Sequence, residues 1–190
     1  MTETGTAAWG VTAQSLASIR AGIRDVPDYP EPGILFKDIT PLLADPQAFR
    51  ATVDAFAGMC TELGADKILG LEARGFIMGA PAAVLAGAGF IPVRKAGKLP
   101  RTTFSQAYQL EYGTAELEMH EDAIAPGERV LIVDDVLATG GTVEASTELV
   151  RKAGGELAGV AVLMELTALG GRRRLTSSLP GVPVSSLLTF

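Results

Sequence analysis

Residues 130–142, reading Val-Leu-Ile-Val-Asp-Asp-Val-Leu-Ala-Thr-Gly-Gly-Thr, constrain this chain more than any other stretch. An unbroken aliphatic and β-branched run has the composition of a strand buried on both faces, and such strands belong in parallel sheets covered by helices. The run ends in two adjacent carboxylates, Asp134 and Asp135. A small loop rich in Gly and Thr follows, and residues 143–153 carry a helical pattern. The expected unit is therefore strand, acidic pair, loop, helix.

The loop can offer bare backbone N–H groups of Ala138, Gly140 and Gly141, and the hydroxyls of Thr139 and Thr142, to a phosphate at a helix N-terminus. Asp134 and Asp135 would repel a phosphate but suit sugar hydroxyls or a magnesium ion. A ligand with a phosphate beside a diol satisfies both halves, which describes a ribose 5-phosphate. The plain alternative is a buried strand followed by an ordinary tight turn. Two other phosphate motifs fail on inspection: Thr142 stands where the Walker pattern needs Lys, and Gly140-Gly141 lacks the three spaced glycines of the dinucleotide pattern.

The same residues resemble the phosphoribosyl-pyrophosphate motif of the type I phosphoribosyltransferases. Four further blocks appear in order: Pro-Gly-Ile-Leu-Phe-Lys-Asp-Ile-Thr-Pro at 32–41, Glu-Ala-Arg-Gly-Phe at 72–76, Pro-Val-Arg-Lys-Ala-Gly-Lys-Leu-Pro at 92–100 and Leu-Glu-Tyr-Gly at 110–113. Together they narrow the resemblance to the adenine-specific members, from about residue 15 onward. The resemblance implies an α/β fold: a central, mostly parallel sheet flanked by helices, with a small N-terminal hood at about 25–45 and a flexible hairpin lid at about 95–120. It implies purine salvage by transfer of a phosphoribosyl group to adenine N9, giving AMP and diphosphate. It also implies magnesium as cofactor and a homodimer.

Composition agrees with a single globular domain of 190 residues, with 47% apolar residues, mostly Ala, Leu and Val. The net charge of −6 and a pI of about 4.8 argue against non-specific nucleic-acid binding. Positive charge must then be concentrated locally, as it is in Arg94, Lys95, Lys98 and Arg101. The single Cys60 excludes an intrachain disulfide and reads as a buried thiol. With one Cys and one His (His120) no zinc site is available. The chain opens without a signal-like region and carries no apolar run of membrane-spanning length, so a cytoplasmic protein with no membrane partner is expected.

Residues 1–12 read as a frayed terminus and 15–23 as a helix. Residues 25–41, with four prolines and one glycine, read as an extended loop without regular structure. A helix is expected over 46–63, then strands and helices in alternation: strand 67–71, helix 75–86, strand 90–93, a hairpin of 106–110 with 114–120, strand 129–134, helix 143–153, strand 157–165 and a last strand 184–188. In such sheets ligands bind beyond the strands' carboxyl ends. Glu72-Ala73-Arg74, Arg94-Lys95, Asp134-Asp135 and Glu165-Leu166 all follow strands and should meet there.

The resemblance then distributes roles. Residues 138–142 take the 5′-phosphate. Asp134 and Asp135 hold the ribose hydroxyls and favour an oxocarbenium-like transition state, touching magnesium at most through water, with no direct protein ligand to the metal. Arg74, Arg94, Lys95 and Lys98 face the diphosphate, although each could equally be a solvated surface charge. Glu111 is either the acid–base residue at the purine ring or an ordinary hairpin carboxylate, and Tyr112 closes over the site beside it. Main-chain groups of Leu35 and Lys37 read the adenine edge. Phe36 and Leu166 sandwich the purine, unless Phe36 is a core residue. The family often has Arg where Lys37 stands, so only its backbone role carries over. The run Arg172-Arg173-Arg174 reads as a solvated or interface segment. Other possibilities are a transferase for a 6-oxopurine or orotate, and a non-catalytic ligand sensor. The first would place a Lys near Leu166, and the second would add a basic DNA-binding module.

Overall fold

The computed structural model describes residues 8–109 and 114–190. The chain falls into two compact units, Met1–Ala55 and Phe56–Phe190.

In the first unit, α1 (Ala13–Ala21) is N-capped by Thr12, whose hydroxyl accepts from the Ser15 amide at 3.0 Å. Val11 is already buried just before the helix begins. The expected irregular loop is instead a two-stranded antiparallel ladder, β1 (Arg24–Pro27) with β2 (Leu35–Asp38), followed by a short α2 (Thr40–Ala44). Four-residue strands are too short to show alternation, and Pro27 stands only at a strand end, where prolines are tolerated. The helix α3 (Pro46–Glu62), as its periodicity predicts, begins in this unit and its residues from Phe56 onward belong to the second.

The second unit is a seven-stranded sheet in the order β5-β6-β4-β3-β7-β8-β9. Its strands are β3 (Lys67–Leu71), β4 (Gly89–Lys95), β5 (Thr103–Gln109), β6 (Thr114–His120), β7 (Arg129–Leu137), β8 (Glu156–Glu165) and β9 (Val184–Thr189). Five neighbours, β4 through β9, run parallel, and the β5–β6 hairpin pairs antiparallel at one edge. Between strands lie α4 (Arg74–Ala86), α5 (Gly141–Lys152) and α6 (Gly171–Ser178). Val130 to Val133 and Val160 to Leu163 are almost fully buried, as strands with helices on both faces must be. Leu117 and Met119 anchor β6 in the same core, and β5 pairs with it as the edge strand.

The feature that makes a site is a mismatch of lengths. β3 pairs with β7 only as far as Gly70↔Val133, while β8 accompanies β7 on to Leu137↔Glu165. Beyond Val133 one edge of β7 is therefore open, and the chain leaving β3 turns away into Glu72, Ala73 and α4.

Candidate active site

The open edge of β7 forms a cleft of about 440 Å³, lined by Glu72, Ala73, Arg74 and Tyr108, and by residues 134–142. The structure thus brings Arg74, Asp134, Asp135, Ala138, Thr139, Gly140, Gly141 and Thr142 together. Successive strand residues turn to opposite faces, so the two aspartates part company. Asp135 is buried, and its carboxylate meets the Arg74 guanidinium at the start of α4, with Nε 2.5 Å from Oδ2. Asp134 is half-buried, and its Oδ1 accepts the Asp135 amide at 2.9 Å. That amide has lost its sheet partner because β3 has ended, and the carboxylate replaces it. Burial and the adjacent Asp135 charge push the Asp134 carboxyl well above the usual carboxylate range. Burial, and the Asp134 charge in addition, also raise the Tyr108 hydroxyl.

The loop from Ala138 ends in Gly140, which holds φ at +85° as the N-cap of α5. The first turn of α5 then presents amides that have no partner within the helix. The start of α6 presses on this loop: a Cβ on Gly171 would clash with the Ala138 carbonyl oxygen. Two arginines of the basic run tie α6 down, while Arg173 and Arg174 keep the solvent exposure that the run's composition suggests. Arg172 donates to Glu165 Oε2 at 2.7 Å, to the Val184 carbonyl at 2.6 Å and to Ser186 Oγ at 3.0 Å. Arg174 donates to Glu144 of α5 at 2.7 Å. Glu165 is therefore a buried anchor, and the neighbouring Leu166 is tied by its amide to the Leu137 carbonyl at 3.0 Å.

Arg94 and Lys98 converge on Glu72, which the sequence places at the strand ends without giving it a role. Lys98 Nζ lies 2.7 Å from Oε1, the Lys95 amide donates to Oε2 at 3.0 Å, and Arg94 Nε stands 3.4 Å from Oε2. These donors, the Lys98 ammonium foremost, hold the Glu72 carboxyl down at about 2. The Lys95 side chain is exposed. The only clue in the sequence was position, one residue past a strand.

Leu35, Phe36 and Lys37 belong to the first unit. Lys37 Nζ donates to Asp25 Oδ1 at 2.6 Å across the β1–β2 pair, which gives its side chain a structural partner. Phe36 is half-buried, edge-on to Tyr29 with ring centroids 5.1 Å apart. Leu35 and Lys37 are two apart on one strand, so their main-chain groups turn to the same edge. Glu111 and Tyr112 lie outside the described residues. Among the described residues no three His, Cys, Asp or Glu side chains cluster to hold a metal alone. None of their helices is long and apolar enough to cross a membrane.

A strand-end carboxylate pair, a Gly-capped helix and the Arg74 guanidinium in one cleft define a phosphoribosyl-handling fold. The Phosphoribosyl transferase domain family matches residues 42–176. Adenine phosphoribosyltransferase of Streptomyces coelicolor is 67% identical over 88% of this chain and 92% of its own length. The crystal structure of the Rhodothermus marinus adenine phosphoribosyltransferase superposes with a TM-score of 0.86, at 53% identity, covering 94% of this chain and 99% of that one. The Saccharomyces cerevisiae enzyme, solved with an imino-altritol bisphosphate and adenine, gives a TM-score of 0.86 at 39% identity, over 93% and 99%. The chain belongs to the adenine phosphoribosyltransferases.

Proposed function

We propose that the cleft binds 5-phospho-α-D-ribose 1-diphosphate and that the chain transfers its phosphoribosyl group to adenine. The N9–C1′ bond forms, the C1′–O bond to diphosphate breaks, and the N9 proton leaves, giving AMP and diphosphate. The observation that carries this reading is the joining of the Asp134–Asp135 pair and the Gly140-capped loop in one cleft. Backbone amides and the Thr139 and Thr142 hydroxyls receive the 5′-phosphate. Asp134 and Asp135 receive the ribose hydroxyls and oppose the positive charge that develops on the sugar, an electrostatic role preset by the fold. Arg74, Arg94, Lys95 and Lys98 face the leaving diphosphate.

Magnesium, a hard ion that prefers oxygen, would be held by substrate oxygens, with Asp134 and Asp135 reaching it at most through water, and would offset the charge of the diphosphate. Glu111 serves as the proton acceptor at the purine ring, with Tyr112 beside it. Leu35 and Lys37 read the adenine edge through their main chain, and Phe36 takes a face of the ring. The yeast relative's complex with adenine supports this choice of base. A cytoplasmic location fits the free, buried thiol of Cys60.

The test is an assay of purified protein with phosphoribosyl diphosphate, magnesium and each base in turn. Adenine should react best by far, and faster reaction of hypoxanthine, guanine or orotate would overturn the assignment.

The homodimer expected from the family has a candidate surface. Residues 75–93 carry no charged side chain, and α4 exposes Ile77, Val84 and Leu85, with Val84 82% accessible. An exposed apolar helix face of this kind marks an interface, and a second copy is the occupant proposed. Val84→Glu should convert a dimer to a monomer in sedimentation velocity. A dimeric variant would move the interface elsewhere.

A further inference from the structure

We infer that Glu72 is a positioning residue of the diphosphate subsite, an internal anion that holds Arg94 and Lys98 in the arrangement the leaving group needs. This rests on the reading of the cleft given above and assigns a role to a residue outside that reading. The parallel register Leu71↔Val93 brings the residue after β3 alongside the residue after Val93, and the Glu72 amide donates to the Val93 carbonyl at 3.0 Å. The Glu72 carboxylate then occupies the space between the two strand ends. One oxygen takes the Lys98 ammonium at 2.7 Å, and the other takes the Lys95 amide at 3.0 Å with Arg94 Nε at 3.4 Å. Arg94 Nη1 closes the turn by donating to the Lys98 carbonyl at 3.2 Å.

The layering decides what the cluster does. The carboxylate is the inner member, with its side chain 11% exposed, against 34% for Arg94 and 48% for Lys98. Two cations share one anion, so the outward face stays positive. An ammonium has three donors and Glu72 takes one, so the others remain for phosphate oxygens. Long Lys and Arg side chains lose substantial rotamer freedom when a ligand orders them. Ordering them beforehand lowers the cost of binding. A half-buried carboxylate beside an anion site is tolerable when cations neutralise it in this way. The opposite arrangement, in which Glu72 competes with diphosphate for the same cations, predicts the opposite sign.

The test compares parent, Glu72→Gln, Lys98→Ala and the double variant in steady-state kinetics with phosphoribosyl diphosphate, magnesium and adenine. Glu72→Gln should raise KM for phosphoribosyl diphosphate roughly 5–20-fold, the loss expected for one partly exposed charge-assisted contact. Its kcat should stay within about threefold and its KM for adenine should not move. In the Lys98→Ala background the same change should cost less than about twofold, because the partner it positions is gone. Should Glu72→Gln not fold, Glu72→Asp carries the test: it keeps the charge but withdraws it, and the same split in KM is expected at smaller size. An unchanged or lowered KM for phosphoribosyl diphosphate overturns the inference, as does full additivity with Lys98→Ala. A parent without adenine transfer would instead remove the reading on which it rests.

Discussion

Asp134→Asn should raise the melting temperature while cutting turnover by about 10²–10³-fold, the scale of removing one preorganised electrostatic partner of a transition state. The stability gain follows from the geometry. Burial and Asp135 hold the Asp134 carboxyl above its ordinary 3.8, so ionising it costs the folded state. Asparagine keeps the oxygen that accepts the Asp135 amide and drops the charge. Even ~1 kcal/mol would shift the midpoint by about 2–4 °C in a chain of this size. The pH dependence has a definite sign. Between 3.8 and the raised value the folded state binds the proton more tightly than the unfolded one, so parent stability falls as pH rises through that window. The variant should lose this decline. Glu72 acts in reverse: its carboxyl, held at about 2 against 4.5, contributes stability above 4.5 that is lost as pH falls towards 2. Asp135→Asn should lower the melting temperature, because it strips Arg74 of its buried partner, and should lower turnover too. Calorimetry across pH with a turnover assay on the same samples checks both; near-normal turnover in folded Asp134→Asn would remove its ribose role.

The second large effect is expected at Gly140. A φ of +85° is strained for any residue with a Cβ and worst for a β-branched one. A side chain there would also meet the Gly171 carbonyl at 3.3 Å and Leu175 at 3.4 Å. Gly140→Val should therefore tilt the first turn of α5 and withdraw the amides proposed to receive phosphate. Calorimetric titration should show phosphoribosyl diphosphate and AMP weakened by about 10²-fold or more, since several charge-assisted bonds are lost together. Free adenine, which carries no phosphate, should bind nearly as before. Equal weakening of all three would mean general unfolding, and unchanged AMP binding would remove the loop from the site.

Much of this was legible from the order of residues alone. The strand Lys67–Leu71, the helix Pro46–Glu62 and the acidic pair with its glycine-capped helix announce themselves through local chemistry, and local chemistry is what sequence carries. What stayed hidden depends on partners far along the chain. Nothing in Val136 and Leu137 says that β7 continues through them; the length of β8 does. The helix Gly171–Ser178 has one buried side chain large enough to form an apolar stripe, Leu175, and exists because Arg172 reaches Glu165 and the backbone at Val184. Glu72 acquires its partners 23 and 26 residues later through the β3–β4 register. The short ladder at Arg24–Pro27 is a pairing event, visible only when both strands are in place.

The unequal lengths of β3 and β7 also divide the molecule in time. Up to Val133 the strand is gripped on both edges, and its amides should exchange with solvent deuterium only when the whole unit opens. From Asp134 to Leu137 it is gripped on one. This segment can breathe without unzipping the core, and the Asp135 amide, tied only to a neighbouring carboxylate, is the natural place for exchange to begin. A bound ribose phosphate would lie along the edge that β3 leaves bare. Substrate would then complete the sheet, and occupancy of the site would be written in the slowing of a handful of amides at the end of one strand.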